Sequence, residues 1–126
     1  MIRKISSKKK ESEKLVKSVS VFSNTVGGIL IFGVSDNDEM IGLNQVKEDS
    51  EFISQKIKER IDPIPQINMY IKQVDGKNIL LVEVASGEET PYYYYGDSVM
   101  EAYVRLGNES IVADARELKR LVLRDK

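Results

Sequence analysis

The sequence predicts an α+β domain, with a mixed, largely antiparallel sheet, a central buried strand and about three helices packed on it. Three observations predict this class. Leu15, Val19, Phe22 and Val26 recur at the spacing of one helix face. The apolar run over residues 29–34 directly follows two glycines and is typical of a strand buried on both faces. Two later apolar runs are joined by an Asp-Gly pair, the sign of a hairpin.

The first third of the chain is expected to form a helix and then the central strand. The helix should begin near Lys9 or Ser12 and end at Asn24, because Gly27 and Gly28 supply the conformations that a helix exit needs. The strand should cover residues 28–35. A polar turn then leads to a short returning strand over residues 40–43.

The middle of the chain predicts a second helix and a hairpin. Asn44 is the expected N-cap of a helix over residues 46–60. Two prolines stop that helix, and its apolar stripe consists of Phe52, Ile53, Ile57 and Ile61. The hairpin should pair residues 66–74 with residues 78–85.

The last third predicts two more strands and a helix. The strands are residues 92–95, a run of four tyrosines, and residues 100–106, with a turn over residues 107–110. Asp114 should cap the final helix, which runs to about Arg124. Its expected inward-facing residues are Leu118, Leu121 and Val122.

Composition excludes several kinds of chemistry. The chain of 126 residues suits one domain and contains neither Cys nor His. Disulfides, thiolate chemistry and Ser-His or Cys-His catalysis are therefore excluded. A net charge of −1 argues against a protein that coats nucleic acid by charge alone. No apolar run spans a bilayer and no signal peptide is visible, so we expect a cytoplasmic protein with no membrane partner.

One basic stripe stands out against this near-neutral background. Lys10, Lys14 and Lys17 share a helix face that should point to solvent, with Lys8 and Lys9 just before it. The stripe could follow a phosphate backbone or be a solubilising face. Arg105 could be a phosphate ligand or pair internally with Glu83 or Asp36.

The tyrosine run has two interpretations. Alternation in a strand places Tyr92 and Tyr94 on one face and Tyr93 and Tyr95 on the other, so one pair should pack on the core. The exposed pair could stack on unpaired bases, for which Tyr93 is the candidate. It could equally belong to a protein interface.

Two further patterns point to ligands less directly. Gly28 and Gly33 have the spacing of a P-loop, but the residues between them favour a strand and Val34 stands where the loop needs Lys, so an ATP site is not expected. Asp36, Asp38 and Glu39 follow the central strand. They could hold Mg²⁺ or Mn²⁺, or be solvated turn residues.

Several motifs in fixed order resemble the Schlafen AlbA-type DNA-binding domain over nearly the whole chain. They are residues 22–28 (FSNTVGG), 33–36 (GVSD), 41–43 (IGL), 61–63 (IDP), 90–93 (TPYY) and 102–108 (AYVRLGN). The resemblance implies that residues 1–126 form one such domain, the N-terminal part of a longer bacterial transcriptional regulator or RecG-like, helicase-related protein.

The function that the resemblance implies is nucleic-acid binding, with DNA as the expected ligand, without catalysis by this domain alone and without a cofactor. Lys10, Lys14, Lys17, Arg105 and Tyr93 are the expected contacts. One alternative is a divalent-metal nuclease of the Schlafen type. It would use Asp36 as the metal ligand, but the Glu pair expected before the first helix is missing. The other is an interaction or dimerisation module, so homodimerisation stays open.

Overall fold

The computed structural model describes residues 2–5, 12–35, 37–96 and 98–124. The elements, in chain order, are β1 (Ile2–Ile5), α1 (Ser12–Asn24), β2 (Gly28–Phe32), α2 (Val46–Arg60), β3 (Ile61–Asp62), β4 (Ile67–Val74), β5 (Lys77–Val84), β6 (Tyr93–Gly96), β7 (Val99–Leu106), β8 (Glu109–Val112) and α3 (Ala115–Leu123). The predicted α+β class is confirmed, and the strands divide between two sheets instead of forming one.

The first sheet has the strand order β1-β2-β5-β4. Strand β2 lies inside it, parallel to β1 and antiparallel to β5, so the predicted interior position of this strand is confirmed. Leu30 and Phe32 are fully buried on its core side, while Ile29 and Ile31 on the other side are only half-buried. The expectation of burial on both faces was therefore wrong for one face.

The second sheet has the order β3-β6-β7-β8. Helix α1 packs between the two sheets, because its Val19 and Phe22 belong to one core cluster with Leu80 of the first sheet and Tyr103 of the second. Helix α3 covers the opposite face of the second sheet. There Leu121 packs in a smaller cluster that includes Ala102, Val104 and Ala113.

The corner after α1 requires a glycine at one position. Gly27 has φ +82°, and a Cβ built there would lie 2.7 Å from the carbonyl oxygen of Val84. The Gly27 N–H donates to the carbonyl oxygen of Phe22 at 2.9 Å, which closes the last turn of the helix. Val26, expected in the apolar stripe, lies beyond the helix end and is 80% exposed.

Other predicted details need correction. Residues 40–43 form no strand, and only an isolated bridge joins Val34 to Met40. Gln45, not Asn44, occupies the N-cap position of α2, without a side-chain cap. The turn predicted over residues 107–110 covers only residues 107 and 108, where Gly107 has φ +62°. Strand β8 follows directly from Glu109.

The final helix follows the prediction closely. Its Asp114 side chain accepts a hydrogen bond from the Glu117 N–H at 2.9 Å, as expected of a cap. Leu121 is buried, but Val122 is 49% exposed and does not face inward as predicted. No helix in the described ranges is long and apolar enough to cross a bilayer.

Candidate functional site

A cleft of about 520 Å³ lies between α1 and the β7–β8 hairpin. Lys14, Lys17 and Ser18 line it from the helix, and Arg105, Asn108 and Ser110 line it from the hairpin. Val21, Phe22 and Tyr103 supply its apolar lining. Three of the residues predicted to contact a ligand therefore meet in one place, although they are far apart in sequence.

The hairpin places Arg105 on the side that faces α1. Arg105 pairs with Ser110 and Tyr103 pairs with Val112, and paired residues of antiparallel strands point to the same face. Tyr103 packs in the core cluster that contains α1. Because Arg105 is two residues further along the same strand, it points to the same side.

The turn of the hairpin holds the Arg105 side chain from one end. Its Nε–H donates to the carbonyl oxygen of Gly107 at 3.2 Å. Within the described residues no carboxylate pairs with Arg105, and the predicted alternative partner Glu83 lies on β5 of the other sheet. Asp36, the other alternative, is outside the described residues. The guanidinium therefore presents its terminal N–H groups to an incoming acceptor.

Two tyrosine rings hold Lys17. Its Nζ atom lies 5.6 Å from the ring centroid of Tyr94 and 5.6 Å from that of Tyr103. The two rings meet edge to face with centroids 6.2 Å apart. These contacts are cation–π interactions, which hold the Lys17 side chain at a half-buried position. Lys17 was expected to point to solvent, whereas the structure places it against the sheet; Lys14, one turn earlier, is exposed.

The electrostatics of the cleft favour an anion. None of the described residues that line it carries a carboxylate, although the chain as a whole has more acidic than basic residues. Lys14 also lies in the first turn of α1, where the helix dipole disfavours a cation. A bound anion would interact favourably with both lysines and with Arg105.

A buried polar network fixes the wall that carries Tyr103. The β6–β7 ladder ends at the pair Tyr93 and Ala102, and the next pair, Tyr92 and Tyr103, is bridged by side chains of α1. The Tyr92 N–H donates to Asn24 Oδ1 at 2.7 Å, and Asn24 Nδ2 donates to the Tyr103 carbonyl oxygen at 3.0 Å.

Ser20 completes the same network. Its Oγ accepts from the Tyr103 N–H at 3.1 Å and donates to the Tyr92 carbonyl oxygen at 2.8 Å. The two side chains thus satisfy all four backbone groups that strand pairing would otherwise satisfy. Sequence reasoning treated Asn24 as part of the helix end and missed this role. The available signal was the i, i+4 spacing of Ser20 and Asn24, which places both polar side chains on one helix face.

The remaining predicted contacts lie elsewhere. Tyr93 pairs with Ala102 and packs in the cluster beneath α3, so it faces away from the cleft. The prediction that one tyrosine pair packs on the core is confirmed for Tyr92 and Tyr94. Strand β6 has neighbours on both sides, so its tyrosines offer no free sheet edge to a partner. Lys10 is outside the described residues.

The proposed metal ligands gain no support. Asp36 lies outside the described residues, and Asp38 and Glu39 are exposed in the turn after β2. Across the described parts of the chain, no three Asp or Glu side chains come close enough together to hold a metal ion.

Comparison with known proteins gives a family match and a fold match. A family model described as Schlafen, AlbA_2 matches residues 2–114. No curated protein matches the sequence. The crystal structure of the DIP2311 protein from Corynebacterium diphtheriae superposes with a TM-score of 0.65 at 23% identity, over 90% of this chain and 24% of that one.

A second solved structure is similar over most of its own length. It is the N-terminal domain of a RecG-related protein from Nitrosomonas europaea, whose name classes it with ATP-dependent DNA helicases. The TM-score is 0.64 at 20% identity, over 86% of this chain and 79% of that one. At these identities the likeness establishes a shared fold. The chain spans about a quarter of the length of DIP2311.

Proposed function

The chain belongs to the Schlafen AlbA_2 family, and on that premise we propose that it is a nucleic-acid-binding module, with DNA as its ligand, of a bacterial transcriptional regulator or helicase-related protein. The proposal locates it in the cytoplasm. The RecG-related name of one structural neighbour supports a role connected with nucleic acid. The role of a longer protein that contains this module, as a regulator or a helicase-related protein, is also proposed here.

One observation carries the proposal. Lys14 and Lys17 on a helix, and Arg105 on a hairpin, line a single cleft to which the described residues contribute no carboxylate. Phosphate is the anion that nucleic acids present repeatedly, and Lys and Arg are its usual protein ligands. In the proposal, Lys10 is a further phosphate contact. Binding by this site needs no chemical step and no cofactor.

A salt titration of binding tests the proposal. Fluorescence anisotropy of short labelled DNA should give a log–log plot of affinity against salt with a negative slope. The slope should flatten by about 0.7–0.9 for each phosphate contact removed. We expect that flattening for Lys14→Gln, because Lys14 is exposed and lines the cleft.

The matched control is Lys119→Gln. Lys119 is also an exposed helix lysine, but it lies on α3, which packs on the other side of the second sheet. Its substitution removes the same charge from the protein and should leave the slope unchanged. Absence of binding at low salt to every DNA tested would contradict the proposal.

A further inference from the structure

We infer that the cleft accepts a single strand and not a duplex, so that the ligand class is single-stranded nucleic acid. This inference rests on the proposed function and narrows it. It depends on the shape of the cleft, the nature of its lining and the burial of the helix that forms one wall.

The cations stand on both walls of the cleft. Lys14 and Lys17 come from α1, and Arg105 comes from the hairpin that faces it. A phosphate that touches both walls must therefore enter between them. The volume of about 520 Å³ is in the range of pockets that enclose a ligand of small-molecule size. A double helix, whose major groove alone is about 12 Å wide, could contact only the rim.

The lining of the cleft fits an unpaired nucleotide. Val21, Phe22 and Tyr103 form the apolar part of the lining and are themselves at most 9% exposed, so they offer little surface to a ligand. The exposed side chains of Asn108 and Ser110 on the hairpin wall can donate to and accept from a base edge. In a duplex the Watson–Crick edges of the bases are paired with one another, so these two residues would not reach them.

Burial excludes α1 as a helix that enters a groove. From Leu15 to Asn24 every residue except Lys17 is buried, because the helix lies between two sheets. A recognition helix needs an exposed side that can reach base edges. Helix α3 does have an exposed basic side, with Arg116 and Lys119, and it lies away from the cleft. A duplex bound through that side would contact α3 and not the cleft.

The test compares one strand with its own duplex. A labelled DNA single strand of about ten nucleotides, without self-complementarity, is measured by anisotropy at low salt, beside the same strand annealed to its complement. We expect the single strand to bind about tenfold more tightly or better. Arg105→Gln and Lys14→Gln should weaken single-strand binding, and Lys119→Gln should leave it unchanged.

Different results separate the inference from the proposed function. Equal or tighter binding of the duplex would overturn the single-strand inference and leave nucleic-acid binding intact. Weaker binding after Lys119→Gln, with no change after Lys14→Gln, would overturn it as well, because α3 would then be the contact surface. No binding of either DNA would overturn the inference and the proposed function together.

Discussion

The two halves of helix α1 use polar side chains for opposite purposes. In the second half, Ser20 and Asn24 are buried, uncharged and fully engaged with the backbone of β6 and β7. In the first half, Lys14 and Lys17 are charged and line a cleft opposite Arg105. Polar groups that already have all their partners stabilise the fold, whereas charges without a counterion among the described residues are available to a ligand.

This comparison predicts a separation of effects. Substitutions in the second half should lower the free energy of unfolding, and any loss of binding should follow from unfolding. Substitutions around the cleft should weaken binding while leaving the free energy of unfolding nearly unchanged.

Asn24→Ala should cause the largest loss of stability. It leaves the Tyr92 N–H and the Tyr103 carbonyl oxygen without their Asn24 hydrogen bonds in a buried site. Each such buried group costs about 1–3 kcal/mol, so we expect a loss of about 3 kcal/mol in urea unfolding. Asn44→Ala is the control, because Asn44 is exposed and does not cap α2. A loss below about 1 kcal/mol for Asn24→Ala would contradict the role of the network.

Gly27→Ala should destabilise the protein more than Gly76→Ala. Both glycines have positive φ, +82° and +74°, so both substitutions impose the left-handed backbone on Ala. That term costs about 1–2 kcal/mol. Only at Gly27 does the added Cβ meet a backbone atom, the Val84 carbonyl oxygen at 2.7 Å, while Gly76 is open. Equal losses in urea unfolding would show that the corner after α1 is not sterically restricted.

Arg105→Gln should weaken binding to DNA by about tenfold, because a charge-assisted contact with phosphate is lost. Its free energy of unfolding should change by less than about 0.5 kcal/mol, since the side chain is exposed. Arg105→Lys keeps the charge but not the planar fork, and should bind with intermediate affinity. Full affinity in Arg105→Lys would mean that charge alone matters; full affinity in Arg105→Gln would remove Arg105 from the site.

The contact between Lys17 and the tyrosine rings connects the cleft with the network, because Tyr103 is also the residue whose backbone Ser20 and Asn24 hold. A double-mutant cycle with Lys17→Met and Tyr94→Leu should give a coupling free energy of about 0.5–1 kcal/mol in urea unfolding. The control is Lys14→Met with Tyr94→Leu, because no cation–π contact joins Lys14 to a ring among the described residues. Equal coupling free energies in the two cycles would show that the Tyr94 ring has no specific interaction with Lys17.

The smallest expected effect lies outside α1 and serves as a reference. A hydrogen bond to the Glu83 carboxylate raises the pKa of Tyr70 above its usual value of 10.0. Folding thus favours the protonated phenol, and this contribution is present below pH 10 and lost as the pH rises through the pKa in the folded protein. Spectroscopic titration of Glu83→Gln should show a lower pKa for Tyr70. An unchanged titration would mean that Glu83 is not the cause.

Local sequence signals were enough for the elements and for part of the site. The Asp75–Gly76 turn, the cap at Asp114 and the bounds of α1 and α2 follow from propensities that act within a few residues. Lys14 and Lys17 stood out in the sequence as part of a lysine stripe, and Arg105 stood out as a cation near a strand end. Their convergence did not follow, because it depends on how the hairpin packs beside α1.

The failures have the same origin. Val26 continues the helical spacing on paper, but the corner at Gly27 ends the helix before it, so the residue is exposed. Asn is a residue type that is common at helix ends. Only the approach of β6 and β7 makes Asn24 a bridge between two strands. Tyr93 stays a predicted contact, and the position of α3 decides that it lies on the other face of the sheet from the cleft.

The sequence by itself determined the α+β class, the helix bounds and the glycine corner, because these depend on φ preferences and on the period of apolar residues. Tertiary structure alone decided that there are two sheets, that α1 is buried between them and that its lysines face an arginine from a distant strand. Such features arise from burial of apolar faces between elements remote in sequence, which no local pattern encodes.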